Sequence, residues 1–235
     1  MSQRVQLTIM QLMSDHRGQR QRKERLELRN TYFISGKMMK ETIEVLPLYH
    51  ADLFIVKDVG TEEQREDLKK QILHAKENNI GEKSGSNPGC WRSNTTYDNM
   101  DWLYDAVRGL SDQANKMYFE LDHIYKSYVE KCKNRDINIW TNVNEVGSKN
   151  VLHTHNADAW AGIYYVQGVG TGNLMFHNPA NVLTLCNHVS PFTKKMGIQP
   201  KDGMLVIWPG WVPHEVEENI SDKQRINIAW GVNYK

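Results

Sequence analysis

Ile137-Asn-Ile-Trp140, Ala161-Gly-Ile-Tyr-Tyr-Val166, Asn173-Leu-Met-Phe176, Met204-Leu-Val-Ile-Trp208 and Arg225-Ile-Asn-Ile-Ala-Trp230 are short runs rich in β-branched and aromatic side chains. Gly, Pro and Asn residues separate them, which is the punctuation of strands joined by turns. Strands at this spacing predict a sandwich or barrel. The texture changes at Asp136, and everything from there to the C-terminus reads as β-rich.

Upstream of Asp136 the periodicity is helical. Thr61-Glu-Glu-Gln64 fits a capping box, and Leu68, Ile72 and Ala75 follow at four- and three-residue steps before Asn78-Asn79 and Gly81. A polar stretch, Ile80 to Pro88, reads as a loop. Leu103, Val107, Leu110, Ala114, Met117, Leu121, Ile124 and Tyr128 then form a second stripe, fit to pack on a sheet or to serve as the seam of a homodimer. The fold class is mainly β with supporting N-terminal helices, an α+β arrangement. Residues 1–45 are expected to be a basic N-terminal arm and 46–235 one domain, with helical support over 61–130 and a β core over 136–235.

The arm carries Arg17, Arg20, Arg22, Lys23, Arg25 and Arg29 against Glu24 and Glu27. It is either a solvated helix or loose terminus, or a contact for an acidic partner surface. The chain as a whole is balanced, with 29 Lys+Arg and 28 Asp+Glu in 235 residues. That balance excludes a uniformly basic nucleic-acid coat and an acidic tail protein. No apolar run is long enough to span a bilayer, and the first residues lack the apolar core of a secretory signal, so the expectation is a cytoplasmic protein, or one of the host cytoplasm if phage-encoded. Cys90, Cys132 and Cys186 are too few and too irregular for a disulfide framework or a cysteine metal clip.

Chemistry concentrates on histidine. His153-Thr-His155 ends an extended segment, where a period of two puts both imidazoles on one side of the chain, able to bite a single metal ion. Asp158, in the turn that follows, is placed to supply or assist with a carboxylate. His214, in the turn Trp208-Pro-Gly-Trp-Val-Pro-His214, is the best third ligand. Three ligands on one face leave open positions, as in mononuclear non-haem iron sites, whereas a closed structural zinc site would want a fourth ligand, usually cysteine. Arg225 follows at the start of the last strand, where its guanidinium can fork onto the carboxylate of a co-substrate whose other end chelates the metal. Trp211 reads as packing or a substrate platform, and Trp91-Arg-Ser-Asn94 as a helix-entry loop or a lid whose Trp91 touches substrate.

The ordered set of Gly147, His153-x-His155, Gly162-Ile-Tyr-Tyr-Val166, Gly172-Asn-Leu-Met-Phe-His-Asn-Pro179, Gly203-Met-Leu-Val-Ile-Trp-Pro209, His214-Glu-Val216 and Arg225-Ile-Asn227 resembles the 2-oxoglutarate/Fe(II)-dependent oxygenases. It is nearest to those of bacterial and phage genomes and more loosely similar to prolyl hydroxylases. The likeness covers Asp136 to Tyr234, with weaker pieces at Leu46-Pro-Leu-Tyr49 and Trp91-Arg-Ser-Asn94. It implies a double-stranded β-helix, the jelly roll of cupin-like proteins, holding Fe(II) and using 2-oxoglutarate and O2 to hydroxylate a C–H bond with release of succinate and CO2. It implies metal ligation by His153 and His214, and co-substrate binding by Arg225 and Tyr165 with Asn227 assisting. No catalytic residue beyond the metal site is implied.

The family pattern is His-x-Asp followed by a distal His, and here His155 stands at the Asp position. Three readings remain open: His155 replaces the carboxylate, Asp158 supplies it, or His153 and His214 hold the metal with His155 behind them. A three-histidine cupin-like enzyme that ignores 2-oxoglutarate, and a non-catalytic binding module, are the rival functions. The substrate class, a small molecule or a protein side chain, is not written in these residues, and no membrane partner is expected.

Overall fold

The computed structural model describes residues 27–28, 32–34, 37–39, 43–44, 51–78, 80, 82–83, 89–119, 134–155, 157–179 and 195–235. The chain divides into two compact units, Met1–His50 and Ala51–Lys235. Within the first unit, β1 (Glu27–Leu28) pairs antiparallel with β4 (Ile43–Glu44), and β2 (Tyr32–Ile34) with β3 (Lys37–Met39). Apart from Glu27-Leu28, the basic stretch 17–29 lies outside the described residues, as does Leu46-Pro-Leu-Tyr49.

The second unit runs β5 (Phe54–Val56), α1 (Glu62–Glu77), β6 (Glu82–Lys83), β7 (Cys90–Ser93), α2 (Asp101–Phe119), β8 (Arg135–Asn144), β9 (Asn150–His153), β10 (Trp160–Gln167), β11 (Leu174–Phe176), β12 (Met196–Ile198), β13 (Leu205–Pro209), β14 (His214–Val216) and β15 (Arg225–Tyr234). A seven-stranded sheet has the order β5-β13-β10-β15-β8-β7-β6, and a four-stranded sheet the order β12-β11-β14-β9. All the pairings are antiparallel. Among the described residues no helix is long and apolar enough to cross a membrane.

The capping box forms as read: Gln64 N–H donates to Thr61 Oγ1 at 3.1 Å and Thr61 N–H to Gln64 Oε1 at 2.8 Å. This satisfies two donors that a helix start leaves open, and the buried stripe of α1 is Leu68, Ile72 and Ala75. On α2, Leu103, Val107, Leu110 and Ala114 are buried against the large sheet, which makes this stripe a sheet-packing surface. Its expected continuation through Leu121, Ile124 and Tyr128 lies outside the described residues.

Strand periodicity sorts the large sheet into two chemistries. On β15, Ile226, Ile228, Trp230 and Val232 face the helices. The alternate positions Asn227 and Ala229 line a cavity on the other face. β10 is buried on both faces: Trp160, Tyr164 and Val166 join the helix-side core, while Ala161, Ile163 and Tyr165 pack with Met204, Val206 and Trp208 against Leu174, Phe176 and Val216 of the small sheet. A second core therefore lies between the sheets.

Residues 91–94 correct one expectation. Instead of a helix-entry loop or lid, Cys90–Ser93 is a strand, with Trp91 opposite Val143, Arg92 opposite Asn142 and Ser93 opposite Thr141 on β8. Pairing with the ten-residue β8 satisfies backbone groups that a loop would leave to solvent.

Candidate metal centre

β14 lies beside β9 in the small sheet, and the register sets His214 opposite His153. His155 follows two residues on, its backbone N–H donating to the Gly210 carbonyl at 2.8 Å, so the chain after β9 is tied to the turn that presents His214. Gly210 is required there, because a Cβ at that position would collide with the backbone oxygens of Asp158 and His155. The three rings converge with centroids 4.3 Å (His153–His214), 5.1 Å (His155–His214) and 5.3 Å (His153–His155) apart. One ring nitrogen from each falls within 4.8 Å of the others, so small ring rotations bring all three onto one ion.

Each ring is oriented through Nδ1. His153 Nδ1 meets the Val151 carbonyl at 2.7 Å and His214 Nδ1 the Val212 carbonyl at 2.9 Å. A carbonyl only accepts, so the proton sits on Nδ1 and Nε2 keeps its lone pair for a metal. His155 Nδ1 instead meets Asp158 Oδ2 at 3.2 Å. Asp158 Oδ1 accepts from the Asn233 side chain at 3.2 Å, and its carboxylate lies against Gly231, where a Cβ would clash with it. The structure thus groups His153, His155 and His214 and puts Asp158 behind His155.

Burial favours the neutral form of His155 and His214. Desolvation, helped by the neighbouring His153 ring, pushes His214 down to about 3. His155 is also lowered, by desolvation first and then by His153, with the Asp158 hydrogen bond pulling the other way. Neutral imidazole is the form that ligates. Trp208 packs edge-on against His214 at 4.8 Å, and the Trp140 indole stacks on His155 at 5.6 Å and 18°.

These rings open on a cavity of about 240 Å³ whose lining includes Arg92, Asn142, Asn150 and Asn227. Arg225 begins β15 one pleat beyond Asn227 on the same face and is fully buried. Its Nη1 donates to the Thr171 carbonyl at 2.6 Å and to the Glu217 carbonyl at 3.4 Å, while Nε and Nη2 have no partner. Tyr165, opposite Asn227 on the adjoining strand, is equally buried, and its hydroxyl also lacks a partner. Burial pushes the Tyr165 hydroxyl up despite the Arg225 charge, and burial lowers Arg225. Buried donors left open in this way cost about 1–3 kcal/mol each, and an oxyanion seated between them removes that cost.

The remaining expected contacts fall elsewhere. Trp91 packs against the helix-side core, away from the cavity, and Trp211 is half exposed and outside the lining. Arg92 is the residue that sequence reasoning missed. It lies on the cavity side of β7, with its Cζ 4.9 Å from the Trp140 ring centroid. Alternation along Cys90-Trp-Arg-Ser93 was the available signal, but only the pairing of β7 with β8 tells which face meets the cavity.

Residues 138–231 match the family model described as "Putative 2OG-Fe(II) oxygenase". No curated protein sequence matches the chain. Among solved structures, a prolyl-4-hydroxylase from Pseudomonas putida is similar at 11% identity and a TM-score of 0.55, covering 78% of this chain and 92% of that one. The non-heme alpha-ketoglutarate-dependent carbocyclase SnoK of nogalamycin biosynthesis is similar at 10% identity and a TM-score of 0.54, covering 78% and 81%. The epimerase SnoN of the same biosynthesis matches at 9% identity and a TM-score of 0.52, covering 77% and 76%. At these identities the likeness is one of fold. His153, His155, His214 and Arg225 all fall within the segment that matches that family model.

Proposed function

We propose that the two sheets are a double-stranded β-helix carrying an Fe(II)- and 2-oxoglutarate-dependent dioxygenase. It hydroxylates a C–H bond of its substrate, with His153, His155 and His214 as metal ligands. The supporting observation is a partnerless pair one pleat along β15 from the cavity-lining Asn227: Arg225 Nε and Nη2 and the neighbouring Tyr165 hydroxyl, all buried and with no acid to answer them among the described residues. When bound, the metal and co-substrate supply oxidation by O2, one oxygen atom entering the hydroxylated product and the other the succinate formed as CO2 leaves.

The chain's own residues bind and orient. Arg225 and Tyr165 take the far carboxylate of 2-oxoglutarate, which fixes the keto-acid end toward the histidines. Asn227, whose Oδ1 accepts from Asn142 at 3.0 Å, lines the path between them. Asp158 holds His155 by Nδ1 and places a negative charge behind the ring, in partial compensation for the carboxylate that His155 replaces. The Trp208 and Phe176 rings wall off His214 from water.

The test is the purified protein loaded with Fe(II) under anaerobic conditions. Titration with 2-oxoglutarate is expected to show saturable one-to-one binding, and admission of O2 is expected to release succinate. Metal binding without 2-oxoglutarate affinity would transfer the chain to the three-histidine enzymes that ignore the keto acid. Binding of both with no succinate formed would leave a non-catalytic module.

A further inference from the structure

We propose that Arg92 is the anchor for an oxyanion on the primary substrate, so that this cavity oxidises a small molecule carrying a carboxylate or phosphate group. The inference rests on the oxygenase reading for the identity of the site. It adds the charge of the substrate, which nothing in that reading supplies.

The lining of the cavity contains no Asp or Glu. Arg92 is the one Arg or Lys in that lining, so the fixed charge facing this space is positive. The guanidinium lies over the Trp140 ring, and the same indole stacks on His155 with centroids 5.6 Å apart. A guanidinium resting on an indole keeps its N–H edge free, because the cation–π contact uses its face. That edge is the bidentate donor that carboxylates and phosphates fit. Among the described side chains no acid forms an ion pair with Arg92; the strand register brings Glu82 of β6 opposite it.

The stack also fixes where the anchored molecule sits. Trp140 touches both Arg92 and His155, so an anion held at Arg92 sits near the histidines. The carbon presented for oxidation is then near the acid group. Arg225 stands two strands away and one pleat along from Arg92, whose row across the sheet is Arg92, Asn142 and Asn227.

The test uses the full chain loaded with Zn(II) and saturated with 2-oxoglutarate, titrated calorimetrically with isobutyrate, with its neutral twin isobutyramide and with inorganic phosphate. Isobutyrate or phosphate is expected to bind at least about tenfold tighter than the amide, and the preferred anion names the acid. In Arg92→Gln that preference is expected to fall by about tenfold while 2-oxoglutarate affinity stays within about twofold. Arg92→Lys is expected to recover part of it, and Glu82→Gln to leave it intact or tighten it. Equal binding of acid and amide overturns the proposal. So does anion binding that persists in Arg92→Gln, which would assign the anion to the metal or to Arg225. Loss of 2-oxoglutarate binding in the wild-type chain would instead overturn the oxygenase reading.

Discussion

Replacing Arg225 with Met separates a ligand-binding guanidinium from a structural one. Met keeps an unbranched apolar stem like that of Arg and removes every donor. In the ligand-free protein two of the guanidinium nitrogens are buried without partners, at a cost of about 1–3 kcal/mol each. The substitution relieves that cost and leaves the Thr171 carbonyl, now bonded to Nη1, without its donor. These effects oppose one another, so the variant is expected within about 2 kcal/mol of wild-type stability. Binding of 2-oxoglutarate behaves differently. Two charge-assisted bonds at about 1.5–3 kcal/mol each correspond to a loss of roughly 10²- to 10⁴-fold in affinity. Thermal denaturation of Zn(II)-loaded protein reads both quantities. At a ligand concentration of about 100 times the wild-type Kd, 2-oxoglutarate adds about 2.7 kcal/mol to the wild type. For a unit of this size that raises Tm by roughly 5–10 °C; the variant is expected to show no rise. A variant that keeps the ligand-induced rise refutes the assignment of Arg225. A ligand-free variant destabilised by more than about 4 kcal/mol would make the residue a keystone of the fold.

Three further outcomes follow from the geometry. Asp158→Asn keeps a hydrogen-bonding group near His155 but removes the charge, and Zn(II) affinity by competition with a chelator is expected to fall about 10- to 100-fold. Gly210→Ala drives a Cβ into the backbone oxygens of Asp158 and His155 and displaces the turn before His214, so metal binding should be lost along with stability, in chelator competition and in denaturant melts. Burial opposes ionisation of Glu145, yet bonds from Lys76 and Gln224 hold its carboxyl below the ordinary 4.5. A lowered carboxyl stabilises the fold above its unfolded value and loses that contribution as pH falls through the folded one, so Lys76→Met should flatten the acid limb of stability against pH below about 4.5.

The parts of the fold written locally were readable from the chain. The capping box of Thr61 and Gln64 and the stripes of both helices depend on spacing alone. The long strands announce themselves by apolar runs, β10 most of all because both of its faces are buried. Strand β7 was not readable, since four residues after a Pro-Gly loop carry little pattern and become a strand only by pairing with β8. At the site, the histidines and Arg225 stood out by residue type and order. The place of Asp158 behind His155, and of Arg92 over Trp140, depends on side-chain directions and neighbours brought from distant strands.

The division of β15 between two chemistries ties the candidate site to folding in one stroke. An odd insertion or deletion within this strand would send Ile228 and Trp230 toward the cavity and turn Asn227 and the guanidinium of Arg225 onto the helices. Drift in this protein is therefore confined to substitutions that preserve parity along the strand. Length variation is pushed to the hairpins, where a new activity has to arise by changing what reaches over the cavity rather than what forms its floor.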